Sequence, residues 1–255
     1  MNRSSTALVL FLLLLPPALL ESHQAASRPP AVVAKLNWVA FSYQGGTDWS
    51  GPVPIDQAAV TDFYGESSLP IALAEADALV TLQDGGVQVS RGSDLLWSSD
   101  PSWDVRRAVA ADLDNDGLQE VALVLWKPFS REPDVVYDTY GFLSPWEEGS
   151  LRNQLFLYGW RDGAWKPLWC SSPLADPIGE LAVGDVDADG RNELVVLEGS
   201  YPDTPDQAMG HVAVWRWNGW GFTLQWRGTG GTYEDLTLHD VTGDGMVEIL
   251  LQERS

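Results

Sequence analysis

Asp112-Leu-Asp-Asn-Asp-Gly-Leu-Gln-Glu120 runs straight into the apolar stretch Val121-Ala-Leu-Val-Leu125. The arrangement returns as Asp185-Val-Asp-Ala-Asp-Gly-Arg-Asn-Glu193 before Leu194-Val-Val-Leu197, and as Asp240-Val-Thr-Gly-Asp-Gly-Met-Val-Glu248 before Ile249-Leu-Leu251. Oxygen-bearing side chains at alternate positions of a tight loop converge on one point. The glycine at position 6 permits the sharp turn, and the acid at position 9 closes a shell suited to a hard cation such as calcium. Carboxylates crowded this closely repel one another without a cation. A single Asp-Gly hairpin turn is common, but turn chemistry does not explain three copies with an acid at one offset. The EF-hand shares the opening of the loop, yet it needs a glutamate at position 12 and a helix on each side. Here the acid falls at position 9 and short leucine or β-branched runs follow, which is the pattern of buried strands. Each loop is therefore expected to join two strands.

A weaker fourth copy is expected at Asp62-Phe-Tyr-Gly-Glu-Ser-Ser-Leu-Pro70 before Ile71-Ala-Leu73, with Tyr64, Ser67 and Pro70 replacing the acid, the glycine and the closing acid. First positions at 62, 112, 185 and 240 are separated by 50, 73 and 55 residues, a period of propeller blades rather than of short solenoid coils. Each interval carries the same further signals. Gln154–Tyr158, a turn at Asp162-Gly163 and Trp165–Trp169 follow the first loop; Gly210–Trp217, a turn at Asn218-Gly219 and Phe222–Trp226 follow the second. Asn-Gly and Asp-Gly between alternating stretches are strong hairpin signals. One unit is thus strand, acidic loop, strand, hairpin, strand. The last unit runs out after Ile249–Gln252, and the missing pair stands at the other end of the chain, Leu36–Tyr43 and Gly51–Pro54 about a turn at Gly45-Gly46. The expected fold is all-β: a β-propeller of four blades, each of four antiparallel strands, closed by pairing the N- and C-terminal strands so that no sheet edge is left open. A dimer pooling blades into a larger ring is the alternative.

The three loops resemble the D-x-D-x-D-G-x-x-[DE] calcium loops of the FG-GAP/VCBS-repeat family of extracellular β-propellers, and the likeness covers Leu36 to the C-terminus. The resemblance implies about three calcium ions. Their ligands would be the side chains of positions 1, 3, 5 and 9 with the backbone carbonyl of position 7. In this chain these are Asp112, Asp114, Asp116 and Glu120 with Leu118; Asp185, Asp187, Asp189 and Glu193 with Arg191; and Asp240, Thr242, Asp244 and Glu248 with Met246. Threonine at position 3 removes one charge from the third loop, which is expected to weaken it.

Met1–Leu20 carries Arg3 and an apolar run broken by Pro16-Pro17, and small residues follow over Ser22–Ser27. This is the pattern of a secretory signal peptide, with cleavage expected near Ala25 or Ala26. The run is short for a membrane span, although retention as an anchor is the alternative. The expected organisation is a signal peptide over 1–26, a short linker over 27–35 and the repeat domain over 36–255. Cys170 is the one cysteine, so no internal disulfide forms and calcium is expected to take over the stapling role. A net charge of -21, from 36 acidic and 15 basic side chains, argues against binding nucleic acid or an anionic membrane.

Thirteen tryptophans are many for 255 residues. Trp97, Trp169 and Trp226 recur at the end of the last strand of successive units and read as packing between blades, whereas Trp49, Trp103 and Trp146 fall in expected loops. Two insertions interrupt the repeat, at 128–153 and 200–209. Long loops on a rigid scaffold commonly carry binding, so Tyr137, Tyr140, Trp146, Glu147, Glu148 and Tyr201 are the candidate partner contacts. Three histidines and no serine elbow, P-loop or H-E-x-x-H leave little basis for catalysis. The sequence therefore reads as a secreted, non-catalytic, calcium-stabilised propeller that presents loops on one face to an extracellular protein or glycan. A small polysaccharide lyase or hydrolase and a purely structural module are the alternatives.

Overall fold

In chain order the strands are β1 (Asn37–Gly45), β2 (Asp48–Ile55), β3 (Ser68–Ala72), β4 (Asp77–Gln83), β5 (Gly86–Arg91), β6 (Asp94–Ser98), β7 (Asp104–Ala111), β8 (Glu120–Pro128), β9 (Leu151–Arg161), β10 (Ala164–Cys170), β11 (Ile178–Gly184), β12 (Glu193–Glu198), β13 (His211–Trp217), β14 (Phe222–Arg227), β15 (Tyr233–His239) and β16 (Glu248–Glu253). The computed structural model describes residues 37–55, 68–72, 77–130, 147–201 and 209–254, and all regular structure among them is β-strand. The strands form four antiparallel sheets of four, ordered β3-β4-β5-β6, β7-β8-β9-β10, β11-β12-β13-β14 and β15-β16-β1-β2. The last sheet joins the two ends of the chain, with Asn37 opposite Glu253 and Phe41 opposite Ile249, as the sequence predicts.

The second strand of each loop-bearing sheet shows why these runs are continuously apolar. Residues 121–125 of β8, 194–197 of β12 and 249–251 of β16 are all at most 1 % exposed, because both faces of the strand are covered. Alternate side chains of β8 point to different neighbours. Val121, Leu123 and Leu125 pack with Val87 and Val89 of the preceding sheet; Ala122 and Val124 pack with Leu194, Val196 and Ala213 of the following one. On the far side of β12, Val195 and Leu197 pack with Phe41, Ile249 and Leu251. Full burial of each valine, leucine or isoleucine among them stabilises the fold by roughly 1.5–3 kcal/mol. The first strands also touch in series, β3 against β7, β7 against β11 and β11 against β15.

The recurring tryptophans close the outer ends of these interfaces. Trp97 of β6 packs on Tyr158 of the next sheet with ring centroids 4.8 Å apart, Trp169 of β10 meets Phe222 at 5.5 Å, and Trp226 of β14 stacks on Trp49 at 4.7 Å. Trp49 is thus a residue of strand β2 and not of a loop, because the second hairpin strand starts earlier than its proline-rich end indicates. Trp103 does lie in a connection, but it packs on Phe156 at 5.1 Å and serves the same interface.

Two boundaries differ from the expectation. The fourth copy is out of frame: the strands flanking its turn are β3 and β4, with Pro70 inside β3 opposite Leu79. Only residues 73–76 separate β3 from β4, where the other sheets carry a nine-residue loop. Asp62 lies outside the described residues. The first insertion is shorter than 128–153, since β8 extends to Pro128 and β9 starts at Leu151. Pairing continues past the strand ends, with the Phe129 N–H donating to the Ser150 carbonyl and the Gly149 N–H to the Phe129 carbonyl, both at 2.8 Å. Tyr137, Tyr140 and Trp146 lie outside the described residues, as do the segments assigned to a signal peptide and linker.

Candidate metal centres in the repeated loops

Each acidic loop spans the first and second strands of its sheet, and backbone N–H groups fold it around its own acids. The position-1 carboxylate accepts from the amides of positions 5 and 6: Asp112 from Asp116 and Gly117 at 3.1 and 2.9 Å, Asp185 from Asp189 and Gly190 at 3.0 and 2.9 Å, and Asp240 from Asp244 and Gly245 at 3.2 and 2.8 Å. The position-5 carboxylate accepts from the amide of position 7 at 2.8 Å (Leu118), 3.0 Å (Arg191) and 2.9 Å (Met246). The position-9 glutamate reaches back to the amide of position 2, with Glu120, Glu193 and Glu248 accepting from Leu113, Val186 and Val241 at 2.9, 3.2 and 2.8 Å. The same atoms meet in all three copies.

These closures require left-handed backbone at two positions. Gly117, Gly190 and Gly245 at position 6 have φ of 90, 85 and 87°, as the sequence predicts, and Asn115, Ala188 and Gly243 at position 4 have φ of 61, 56 and 75°. Asparagine tolerates that conformation and alanine does not, so Ala188 is held there by the loop.

Asp112, Asp114 and Glu120 bring carboxylate oxygens within 4.8 Å of one another, as do Asp185, Asp187 and Glu193, and either set can hold a metal ion. Asp187 Oδ1 is buried with no hydrogen-bond partner, an acceptor that a cation would satisfy. The third loop has the same backbone frame but only three acids. Thr242 Oγ1 lies 3.3 Å from Glu248 Oε1. Burial pushes the Glu120 and Glu193 carboxyls up to about 7, against the hydrogen bonds that favour their charged forms. Asp114 and Asp187 are raised as well, by burial first and then by the neighbouring acids Asp116 and Asp189.

Sequence reading missed three members of this site. Arg161, the last residue of β9, places Nη2 at 3.3 Å from Asp114 Oδ2, 2.9 Å from Asp116 Oδ2 and 2.7 Å from Glu120 Oε1. Arg216 of β13 places Nη2 at 2.7 Å from Asp187 Oδ2, 2.7 Å from Asp189 Oδ2 and 3.0 Å from Glu193 Oε1. The signal was available as an arginine just before the hairpin turn that follows each of the first two loops. Asn192 at position 8 was missed too: its backbone N–H donates to Asn115 Oδ1 at 3.0 Å and its carboxamide to the Asp112 carbonyl at 2.8 Å, so the first two loops touch.

Of the partner candidates, Glu147 and Glu148 are exposed at the foot of the first insertion. Tyr201, at the foot of the second, is engaged. Its hydroxyl accepts from the Asn153 N–H at 3.2 Å and donates to the Leu174 carbonyl at 2.8 Å, while its ring meets Trp126 edge-on at 5.7 Å and the Arg152 guanidinium at 4.8 Å. Tyr201 therefore braces the place where the two insertions leave the body. No protein-family model matches the chain, and no curated protein matches it at a significant level.

Proposed function

We propose that this chain is a secreted, calcium-stabilised, four-bladed β-propeller of the FG-GAP/VCBS type, which binds an extracellular protein or glycan through loops on one face. The observation that carries the reading is the threefold recurrence of one loop, atom for atom, between the first and second strands of successive four-stranded sheets. Serial contact of the first strands, alternate side chains packed to opposite neighbours and the sheet shared by both chain ends support a ring of blades, in which every sheet lies between two others. All-oxygen donor sets favour calcium over a transition metal. Positions 1, 3, 5 and 9 would hold the ion, with the position-7 carbonyls, and the ion would pin the first and second strands of each blade. The pattern of the first 26 residues supports export.

Tyr201, which joins the feet of the 129–150 and 200–209 connections, supports a recognition face built from these two loops. Because Phe129 is hydrogen-bonded to Gly149 and Ser150, residues 131–146 can be replaced by a short Gly-Ser turn without opening the sheet. A protein or glycan array probed with the full secreted chain is expected to lose its signal on this replacement while the melting temperature holds. A signal that survives both this replacement and one of residues 202–208 would contradict recognition through these loops.

A further inference from the structure

Arg161 and Arg216 meet the same three atoms of their loops, the Oδ2 of positions 3 and 5 and the Oε1 of position 9. Each guanidinium thus holds the point on which those oxygens converge. Calcium needs its oxygens at about 2.3–2.6 Å, so an ion and a guanidinium nitrogen cannot share that point. Entry of an ion requires the arginine to withdraw.

Among the described residues the third loop has no such cation. Extending the register in which Phe41 faces Ile249 puts Ser42 opposite Glu248, where Arg216 stands opposite Glu193 in the register that pairs Leu194 with Trp215. Among the described residues no lysine or arginine pairs with Asp240, Asp244 or Glu248. Four loop acids with one arginine and three loop acids with none also come to the same formal charge. The ranking based on acid count alone, which makes the third loop the weakest, omits the arginines.

We propose that Arg161 and Arg216 are tethered cations that compete with calcium in the first two loops, which leaves the third loop, despite its threonine, the tightest calcium site. The inference rests on the calcium reading above. It assigns two kinds of loop to one ring: two that keep their acids neutralised by the chain itself, and one that depends on the ion. A tethered competitor weakens apparent affinity by the fraction of time the site stands open, so a loop closed for all but about one part in ten to one part in a hundred binds about ten- to a hundredfold more weakly than its oxygens alone would.

The test is calcium titration calorimetry on the full secreted, chelator-stripped chain, with Glu120→Gln, Glu193→Gln and Glu248→Gln assigning the sites. The wild type is expected to show its tightest site lost in Glu248→Gln. Arg161→Gln with Arg216→Gln is expected to tighten the other two sites about ten- to a hundredfold and to lower the melting temperature of the metal-free form. Ser42→Arg supplies the converse should the double variant fail to fold: it installs the competitor and is expected to weaken the third site alone. Unchanged or weaker binding in the arginine variants, or a tightest site that survives Glu248→Gln, overturns the competition while leaving calcium binding intact. Absence of calcium binding in the wild type and in every variant overturns the calcium reading itself.

Discussion

Asn192 donates its backbone N–H to the Asn115 side chain at 3.0 Å, so the second acidic loop leans on the left-handed corner of the first. The Asn192 carboxamide adds a bond to the Asp112 carbonyl at 2.8 Å. Asn192→Ala removes the side-chain bond and leaves that carbonyl without its donor, at a cost of about 1–2 kcal/mol. Equilibrium unfolding in urea is expected to show that loss, and calcium binding to the first loop is expected to weaken although Asn192 belongs to the second. An effect confined to the second loop would contradict the coupling.

Ala188 sits at φ 56° where the other two loops have Asn115 and Gly243. Ala188→Gly relieves the clash of Cβ with the backbone at a smaller entropic cost in the unfolded chain, for a net gain of about 0.5–1 kcal/mol. A higher urea midpoint is the expected result. The same substitution at Asn115 is expected to destabilise, because it deletes the acceptor for Asn192.

The Glu120 and Glu193 carboxyls, raised by burial from 4.5 to about 7, set a pH dependence for the metal-free protein. The folded form binds protons more tightly than the unfolded form between those values, so stability falls as pH rises from about 4.5 to about 7 and is flat beyond. Melting temperatures of the chelated protein are expected to decline from pH 5 to pH 8, and Glu120→Gln with Glu193→Gln to flatten the decline. With calcium present the trend is expected to reverse, because the ion binds the carboxylate and releases its proton.

Tyr201→Phe tests the brace between the two insertions. Loss of the hydroxyl leaves the part-buried Asn153 N–H and the Leu174 carbonyl without this partner, which costs about 1–3 kcal/mol. Replacing Tyr201 is expected to impair partner binding as well, through the position of the loops it anchors. Unaltered stability would contradict its structural role.

The sheets were legible because β8, β12 and β16 are covered on both faces and so had to be apolar without a break, while the tight Asp-Gly and Asn-Gly turns marked the hairpins. The shared terminal sheet followed from counting strands. The fourth copy was misplaced by searching for aspartates: its connection over 73–76 has no room for a nine-residue loop, so no acidic spacing was left to find, and Pro70 reads as a breaker although it lies in β3. The site was legible in its acids and in the position-6 glycines, whose left-handed φ only glycine adopts freely. It was illegible in Arg161 and Arg216, which lie 41 and 23 residues from the glutamates they meet, a separation that only the strand register closes.

Calcium bound in the repeated loops is proposed to hold this fold together. Titrating calcium into the chelator-stripped chain, with thermal melts before and after, tests this. About three ions per chain at saturation and a clear rise in melting temperature are expected; no binding with no rise would overturn the calcium reading, and the loops would then be turns, the first two neutralised by Arg161 and Arg216.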